Sequence, residues 1–195
     1  MPVSSPGSKT LSDISKFFPE LISHLREHAV RTDGPFTLRS GAVSDWYLDA
    51  RQTTFSGHGA RLVGEVVADA VDERSVAVGG LTMGADPVAM ATAMAADARG
   101  RGLVAFSIRK EAKSHGTGGR LVGPVGPDAP VTILEDTTTT GGAMTEAITV
   151  ARESGLDVVQ ALSLIDRSGD VVRERMAELG VNYRAIITPR DLGVE

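Results

Sequence analysis

The segment from Glu135 to Ala143 carries the densest set of side chains able to do chemistry. A short apolar run ends in two adjacent carboxylates, Glu135 and Asp136. Four hydroxyls and two glycines follow them, in the order Thr137, Thr138, Thr139, Thr140, Gly141, Gly142 and Ala143. A helix is predicted to begin there, and the free N–H groups of a helix N-terminus suit a phosphate monoester. Carboxylates suit sugar hydroxyls or a nearby magnesium ion. The segment therefore predicts a site for a ribose 5-phosphate.

A second candidate is a cationic segment that follows another predicted strand. The chain has only four lysines, and two of them stand here in the series Arg109, Lys110, Lys113 and His115. The connection is long and rich in glycine, which is typical of loops that close over a ligand. Such a cluster can stabilise the negative charge that develops on a polyanionic leaving group.

Two further loops complete the candidate site. Gly79 to Pro87 follows a short apolar run, and its glycines allow a close approach of backbone to an anion. Asp166-Arg167 ends a later apolar run, and the planar guanidinium of Arg167 suits a carboxylate.

The elements that must position these loops alternate between strands and helices. Strands are predicted at 76–78, 103–108, 131–134, 158–165 and 185–187, with helices at 59–71, 85–99, 143–154 and 171–179. This alternation indicates an α/β fold with a mostly parallel sheet covered by helices on both faces. The loops that leave the carboxyl ends of such strands are expected to converge on one site.

The first 50 residues follow a different pattern. Helical periodicity from Leu11 to Val30 is interrupted by Pro19, which predicts two short helices. Apolar runs at 36–38 and 46–48 flank Ser40-Gly41 and predict a strand pair. Trp46 is expected to pack in this region. Residues 1–10 are expected to form a disordered tail, with a single domain over 11–195.

Composition and charge exclude or disfavour several classes of site and partner. The absence of cysteine excludes a thiol nucleophile, and a reducing compartment such as the cytoplasm is expected. The net charge of −5 argues against a nucleic-acid partner, and no apolar run is long enough to cross a membrane. Arg173, Glu174 and Arg175 are interpreted as a solvated helix face.

With these motifs in order, the chain resembles the type I phosphoribosyltransferases. Glu135 to Ala143 is similar to their signature for 5-phosphoribosyl 1-diphosphate (PRPP). The resemblance implies that Glu135 and Asp136 hold the ribose hydroxyls and that 137–143 hold the 5-phosphate. Within that family, Arg109 to Gly119 resembles the mobile catalytic loop of the orotate phosphoribosyltransferases, Arg-Lys-x-x-Lys-x-His-Gly. This implies a loop over about 109–122 that contacts the diphosphate.

The resemblance extends to the other segments, with two departures. Phe36 to Asp49 is similar to the family's hood over about 11–50, but Arg39 stands where lysine is usual. Thr82-Met83 stands where many relatives have Tyr-Lys in the pyrophosphate loop. These three positions are therefore weaker assignments. By the same resemblance, Arg167 and Thr139 would bind orotate.

The reaction implied is transfer of ribose 5-phosphate from PRPP to orotate, which yields orotidine 5'-phosphate and pyrophosphate in UMP biosynthesis. Mg²⁺ would be held mainly through the substrate, with Glu135 and Asp136 nearby. The family also implies a homodimer with shared active sites. Three alternatives stay open: a phosphoribosyltransferase for another base, a non-catalytic regulator that senses PRPP, and a plain sugar-phosphate-binding module. Arg167, the Lys/His loop and the pyrophosphate loop, respectively, argue against them.

Overall fold

The computed structural model describes residues 16–37, 41, 43–112 and 119–194. Its N-terminal part consists of one longer helix, one short helix and two pairs of short antiparallel strands. These elements are α1 (Phe18–His28), β1 (Val30–Arg31), β2 (Phe36–Thr37), β3 (Val43–Ser44), β4 (Tyr47–Leu48) and α2 (Arg51–Thr54). Strand β1 pairs with β4, and β2 pairs with β3.

Pro19 lies in the first turn of α1, where its missing N–H would have no helical acceptor. The helix predicted before it falls on 11–15, which lie outside the described residues. The predicted strand pair was wrong. Runs 36–38 and 46–48 do not pair with each other. β2 instead closes a shorter hairpin with β3, and β4 pairs with the strand that follows α1, which buries Leu48 in the core.

The centre of the fold is a six-stranded sheet. Its strands are β5 (Ala77–Leu81), β6 (Val104–Ile108), β7 (Leu121–Val122), β8 (Pro130–Thr138), β9 (Asp157–Asp166) and β10 (Asn182–Ile187), and their spatial order is β10-β9-β8-β5-β6-β7. All neighbouring pairs are parallel except β6 with β7. The parallel carboxyl ends therefore meet at one edge of the sheet, as predicted.

Helices cover both faces of this sheet. They are α3 (Gly57–Ala68), α4 (Ala85–Asp97), α5 (Gly142–Glu153), α6 (Val171–Glu178) and α7 (Pro189–Leu192). One core joins α1, α3 and α4 to the sheet through residues such as Leu25, Leu62 and Leu134. The other joins α5 and α6 to the opposite face through Ile133, Ile148 and Met176. The predicted α/β fold is confirmed. No helix in the described ranges has the length and apolarity that a membrane crossing requires.

Strand β5 runs further than the sequence predicts. Gly79 and Gly80 were expected in the loop after the strand, but they continue β5 between β8 and β6. A Cβ atom on Gly80 would lie 2.1 Å from the carbonyl oxygen of Leu134, and one on Gly79 would lie 2.2 Å from that of Phe106. Glycine is therefore required here by close packing inside the sheet rather than by a turn.

This packing predicts that Gly80→Ala lowers the free energy of unfolding by about 3 kcal/mol, because the added methyl overpacks a fully buried position. Chemical denaturation measures this loss. Gly102→Ala is the matched control, since a Cβ there meets nothing within 4 Å, and its stability should stay within about 1 kcal/mol of wild type. Equal stability of the two variants would contradict the packing argument.

Candidate functional site

The loops at the carboxyl edge of the sheet surround a cavity of about 500 Å³. Its lining residues come from the ends of β5 and β8, from the loops after β5 and β6, and from α2 and α5, and they are Arg51, Leu81, Thr82, Met83, Gly84, Lys110, Glu135, Asp136 and Ala143. A smaller hollow of about 120 Å³ adjoins it at Glu135 and Ala143 and is bordered by residues 137–144. The two spaces together could accommodate a ligand with an anionic group at each end.

The sequence predicted that the two carboxylates follow the strand. In the structure they lie within β8. Burial, reinforced by the charge of Asp136, raises the pKa of Glu135 to about 8. Burial also raises the pKa of Asp136, while the N–H of Thr137 and the charge of Arg51 oppose that shift. Oδ1 of Asp136 accepts a hydrogen bond from the N–H of Thr137 at 2.8 Å. Among the described residues, Oε2 of Glu135 has no hydrogen-bond partner.

The loop beneath Asp136 leaves no room for a larger residue. A Cβ on Gly84 would lie 2.5 Å from Oδ1 of Asp136. Next to it, Thr82 donates its hydroxyl to Asp86 at 2.6 Å, and Met83 is 55% exposed at the cavity. The peptide bond between Thr82 and Met83 is cis. Uncharged residues therefore form this wall of the cavity.

The described residues offer hard oxygen ligands but no complete metal site. No group of three His, Cys, Asp or Glu side chains in the described ranges is placed to hold a metal ion. The two neighbouring carboxylates and the unpartnered Oε2 of Glu135 are nevertheless oxygen donors of the kind that Mg²⁺ prefers. These donors fit a magnesium ion whose other ligands come mostly from a bound substrate.

The threonine-rich loop leads directly into α5. Gly141 has a φ of +73°, and the helix begins at Gly142 with its first N–H groups facing the smaller hollow. Arg175 of α6 donates a hydrogen bond to the carbonyl oxygen of Thr140. The interpretation of Arg175 as part of a solvated face was therefore wrong. Only the fold brings α6 against this loop, and no local pattern indicates the contact.

Thr138 differs from the other threonines. It is 2% exposed, and its hydroxyl lies 3.1 Å from Oδ1 of Asp166 and 3.0 Å from Oγ of Ser163. Because side chains alternate along a strand, Thr137 points away from this buried network. Thr139 follows β8 and is exposed. Since the Thr138 hydroxyl is bound inside the sheet, the backbone is the part of Thr138 that remains to contact a ligand in the smaller hollow.

Arg167 lies near the site but outside both cavities. Its guanidinium stacks on the ring of Trp46 at 4.2 Å, and burial lowers its pKa. Its backbone N–H donates to the carbonyl oxygen of Thr138 at 2.9 Å. Within the described ranges its guanidinium has no carboxylate partner, so it could bind one from a ligand. Trp46 packs as expected, although against this cation.

Arg51 was missed by the sequence analysis. Its Nε donates to Oδ1 of Asp49 at 2.7 Å, and its side chain lines the larger cavity opposite the carboxylates. The only local signal for Arg51 is its position two residues after Asp49, the last residue of the segment that resembles the hood. It adds a second cation to the cavity beside Lys110.

The predicted cationic loop is only partly described. Lys110 is exposed at the cavity, whereas Arg109 is half-buried and donates its backbone N–H to the carbonyl oxygen of Arg120 at 2.9 Å. Arg109 does not line the cavity. Lys113, His115 and Arg39 lie outside the described residues.

Comparison with known proteins gives a consistent result. No protein-family model matches the chain. An orotate phosphoribosyltransferase from Streptomyces avermitilis is 43% identical over 176 residues, which span 90% of this chain and 96% of the relative. One from Corynebacterium glutamicum is 42% identical over 90% of this chain and 93% of the relative.

Solved structures agree. The Mycobacterium tuberculosis orotate phosphoribosyltransferase in complex with Fe(III) dicitrate is 34% identical, with a TM-score of 0.82 over 91% of this chain and 99% of that chain. The same enzyme in complex with 5-phospho-alpha-D-ribosyl 1-diphosphate is 30% identical, with a TM-score of 0.78.

The environment of Glu135 predicts a pH-dependent stability. The folded protein holds this proton more tightly than the unfolded chain, so stability falls as the pH rises from about 4.5 to about 8. Glu135→Gln removes the ionised form, so the variant should be about 2 kcal/mol more stable than wild type at pH 8.5.

Denaturation midpoints at pH 5.5 and 8.5, without substrate or metal, measure this effect. At pH 5.5 the two proteins should be nearly equal. Glu178→Gln, at an exposed position of α6, is the control and should show no such difference. A Glu135→Gln advantage that is the same at both pH values would contradict the assigned burial penalty.

Proposed function

The chain belongs to the orotate phosphoribosyltransferase family, and from this premise we propose which of its residues carry the reaction. The enzyme transfers ribose 5-phosphate from PRPP to orotate and releases pyrophosphate, a step of pyrimidine biosynthesis. The observation on which the site assignment rests is the junction of the two cavities, where the carboxylates of β8 meet the threonine loop.

The ribose 5-phosphate binds across that junction. Glu135 and Asp136 accept hydrogen bonds from the 2- and 3-hydroxyls of the ribose, which supply the donor that Oε2 of Glu135 lacks. The 5-phosphate occupies the smaller hollow. There it meets the hydroxyls of Thr137, Thr139 and Thr140 and the first N–H groups of α5, from Gly141, Gly142 and Ala143. Thr138 contributes backbone only.

The diphosphate occupies the larger cavity. When the bond between C1 of the ribose and the diphosphate oxygen breaks, the electron pair leaves with pyrophosphate. A ring nitrogen of orotate bonds to C1 and gives up its proton, which the released pyrophosphate accepts. Lys110 and Arg51 line the cavity in which the departing charge would accumulate. Arg109, Lys113 and His115 are the further cations that we assign to contact with the diphosphate. Thr82 and Met83 contribute the wall, and cations elsewhere supply the charge that their side chains lack.

Orotate is held by Arg167 and Thr139. The guanidinium of Arg167 is stacked on Trp46 and free of a carboxylate among the described residues, so its plane is fixed for a bidentate contact with the carboxylate of orotate. Thr139 is exposed directly after β8. Its hydroxyl adds the second contact. Arg39 is a weaker candidate for a further substrate contact.

Mg²⁺ is the proposed cofactor. Glu135 and Asp136 are the residues that would hold it, together with oxygens of the substrate. When bound, the ion neutralises the diphosphate and favours its departure. The carboxylates orient the ribose hydroxyls in the same place.

The functional unit we propose is a cytoplasmic homodimer in which loop 109–122 of one subunit reaches the site of the other. Phe55, Met90 and Met94 are exposed apolar side chains that support a protein interface. The length of the cationic segment supports its reach. A monomer by analytical ultracentrifugation at assay concentration would exclude shared sites.

The activity is tested by mixing the protein with orotate, PRPP and magnesium and following orotate absorbance. We expect a magnesium-dependent loss with release of pyrophosphate, and no reaction when uracil replaces orotate. PRPP binding without turnover of orotate would favour another base or a regulator.

Arg167→Ala is expected to raise the KM for orotate at least tenfold, because a bidentate charged contact is worth roughly 1.5–3 kcal/mol. The KM for PRPP should change little. Steady-state kinetics with each substrate varied provide the measurement. Arg173→Ala, an exposed arginine on α6, is the control. An unchanged orotate KM in Arg167→Ala would refute the assignment.

Arg51→Gln is expected to lower kcat about a hundredfold, since one preorganised contact to developing charge contributes on that order. Lys113→Ala should show the same profile if both side chains act on the diphosphate. Orotate binding, measured at equilibrium, should be retained in both variants. Wild-type kcat in Arg51→Gln would remove Arg51 from the site.

A further inference from the structure

A buried polar network behind the orotate side of the site joins the carboxyl ends of β8 and β9 to a tyrosine of β10. The hydroxyl of Tyr183 in β10 donates to Oδ2 of Asp166 in β9 at 2.8 Å. The hydroxyl of Thr138 in β8 lies 3.1 Å from Oδ1 of the same carboxylate. The N–H of Ser168 also donates to Oδ1, at 2.8 Å. Asp166, Thr138 and Tyr183 are all buried.

Each end of this network is bonded to a proposed orotate contact. Asp166 immediately precedes Arg167, and Thr138 immediately precedes Thr139. The N–H of Arg167 donates to the carbonyl oxygen of Thr138 at 2.9 Å, which ties the two loops together. Tyr183 itself lines neither cavity. A change in its hydroxyl can therefore reach the substrate through Asp166 and, more weakly, through the hydroxyl of Thr138, which lies 3.4 Å away.

The charges explain why the hydroxyl matters. Asp166 is a carboxylate one residue from the Arg167 guanidinium, yet the two make no ion pair. Its oxygens are instead bonded to Tyr183, Thr138 and Ser168. If one donor is lost, a buried carboxylate keeps an unsatisfied oxygen, and the nearby guanidinium becomes its best available partner.

We propose that Tyr183 is a positioning residue for substrate specificity: by saturating Asp166 it keeps the Arg167 guanidinium on Trp46 and available to the carboxylate of orotate. This inference rests on the proposed role of Arg167. It makes Tyr183 a determinant of orotate affinity although it does not touch the substrate.

Tyr183→Phe tests the proposal, because it removes one oxygen and keeps the packing of the ring. We expect the KM for orotate to rise roughly tenfold, as for a small displacement of a binding group. kcat and the KM for PRPP should stay within about twofold of wild type. Trp46 is the only tryptophan in the chain. Its emission in the free variant should therefore shift toward that of Arg167→Ala, since both variants lose the stacked guanidinium.

A matched control separates positioning from stability. Ser75→Ala removes a buried hydroxyl that lies 2.7 Å from Oγ1 of Thr132, at the opposite ends of the strands. It should lower the melting temperature without changing the orotate KM or the Trp46 emission. If Ser75→Ala raises the orotate KM as much as Tyr183→Phe, the effect is general destabilisation and the proposal fails.

A second variant tests the competition between charges. Asp166→Asn combined with Tyr183→Phe removes the carboxylate that would capture Arg167, so the double variant should recover most of the orotate affinity lost in Tyr183→Phe. No recovery would overturn the proposal. Arg167→Ala distinguishes the two levels of inference. If it leaves the orotate KM unchanged, the site assignment is wrong. If it raises that KM and Tyr183→Phe does not, only the role of Tyr183 is wrong.

Discussion

Burial of the Glu135 and Asp136 carboxylates at the end of a central strand imposes the main constraint on this site. Two adjacent acids removed from water repel each other and resist ionisation, which is why burial raises both pKa values. Two neighbours oppose the rise in the pKa of Asp136. They are the charge of Arg51, which lines the same cavity, and the N–H of Thr137, which donates to the carboxylate. In the proposed complex, the ribose hydroxyls and a substrate-bound Mg²⁺ would supply the remaining compensation.

Each loop at the carboxyl edge of the sheet also has a role of its own. The loop after β5 forms a wall without charged side chains at the cavity, the one after β6 carries cations, and the one after β8 leads into a helix N-terminus. The loop after β9 carries Arg167, the arginine proposed to recognise the base. Each loop leaves a different strand of one rigid sheet, so each subsite can be altered without moving its neighbours.

The sequence was most informative where chemistry and local pattern coincide. The acids, threonines and glycines around Glu135 are contiguous, and their strand and helix follow from apolar periodicity. It failed where a residue's role is set by distant neighbours. Gly79 resembles a turn residue until the carbonyl of Phe106 is placed 2.2 Å from its absent Cβ. Arg175 resembles a solvated residue until α6 meets the loop at Thr140. Thr138 differs from Thr137 only through strand pleating.

The scarcity of lysine has a practical consequence. Sixteen of the twenty basic residues counted as Lys or Arg are arginines, and Lys110 lies exposed at the rim of the larger cavity. An amine-directed reagent therefore has very few targets on this protein, and one of them lies at the larger cavity. Mass-spectrometric footprinting of that amine would report occupancy of the larger cavity directly, because the surface arginines do not react with such a reagent.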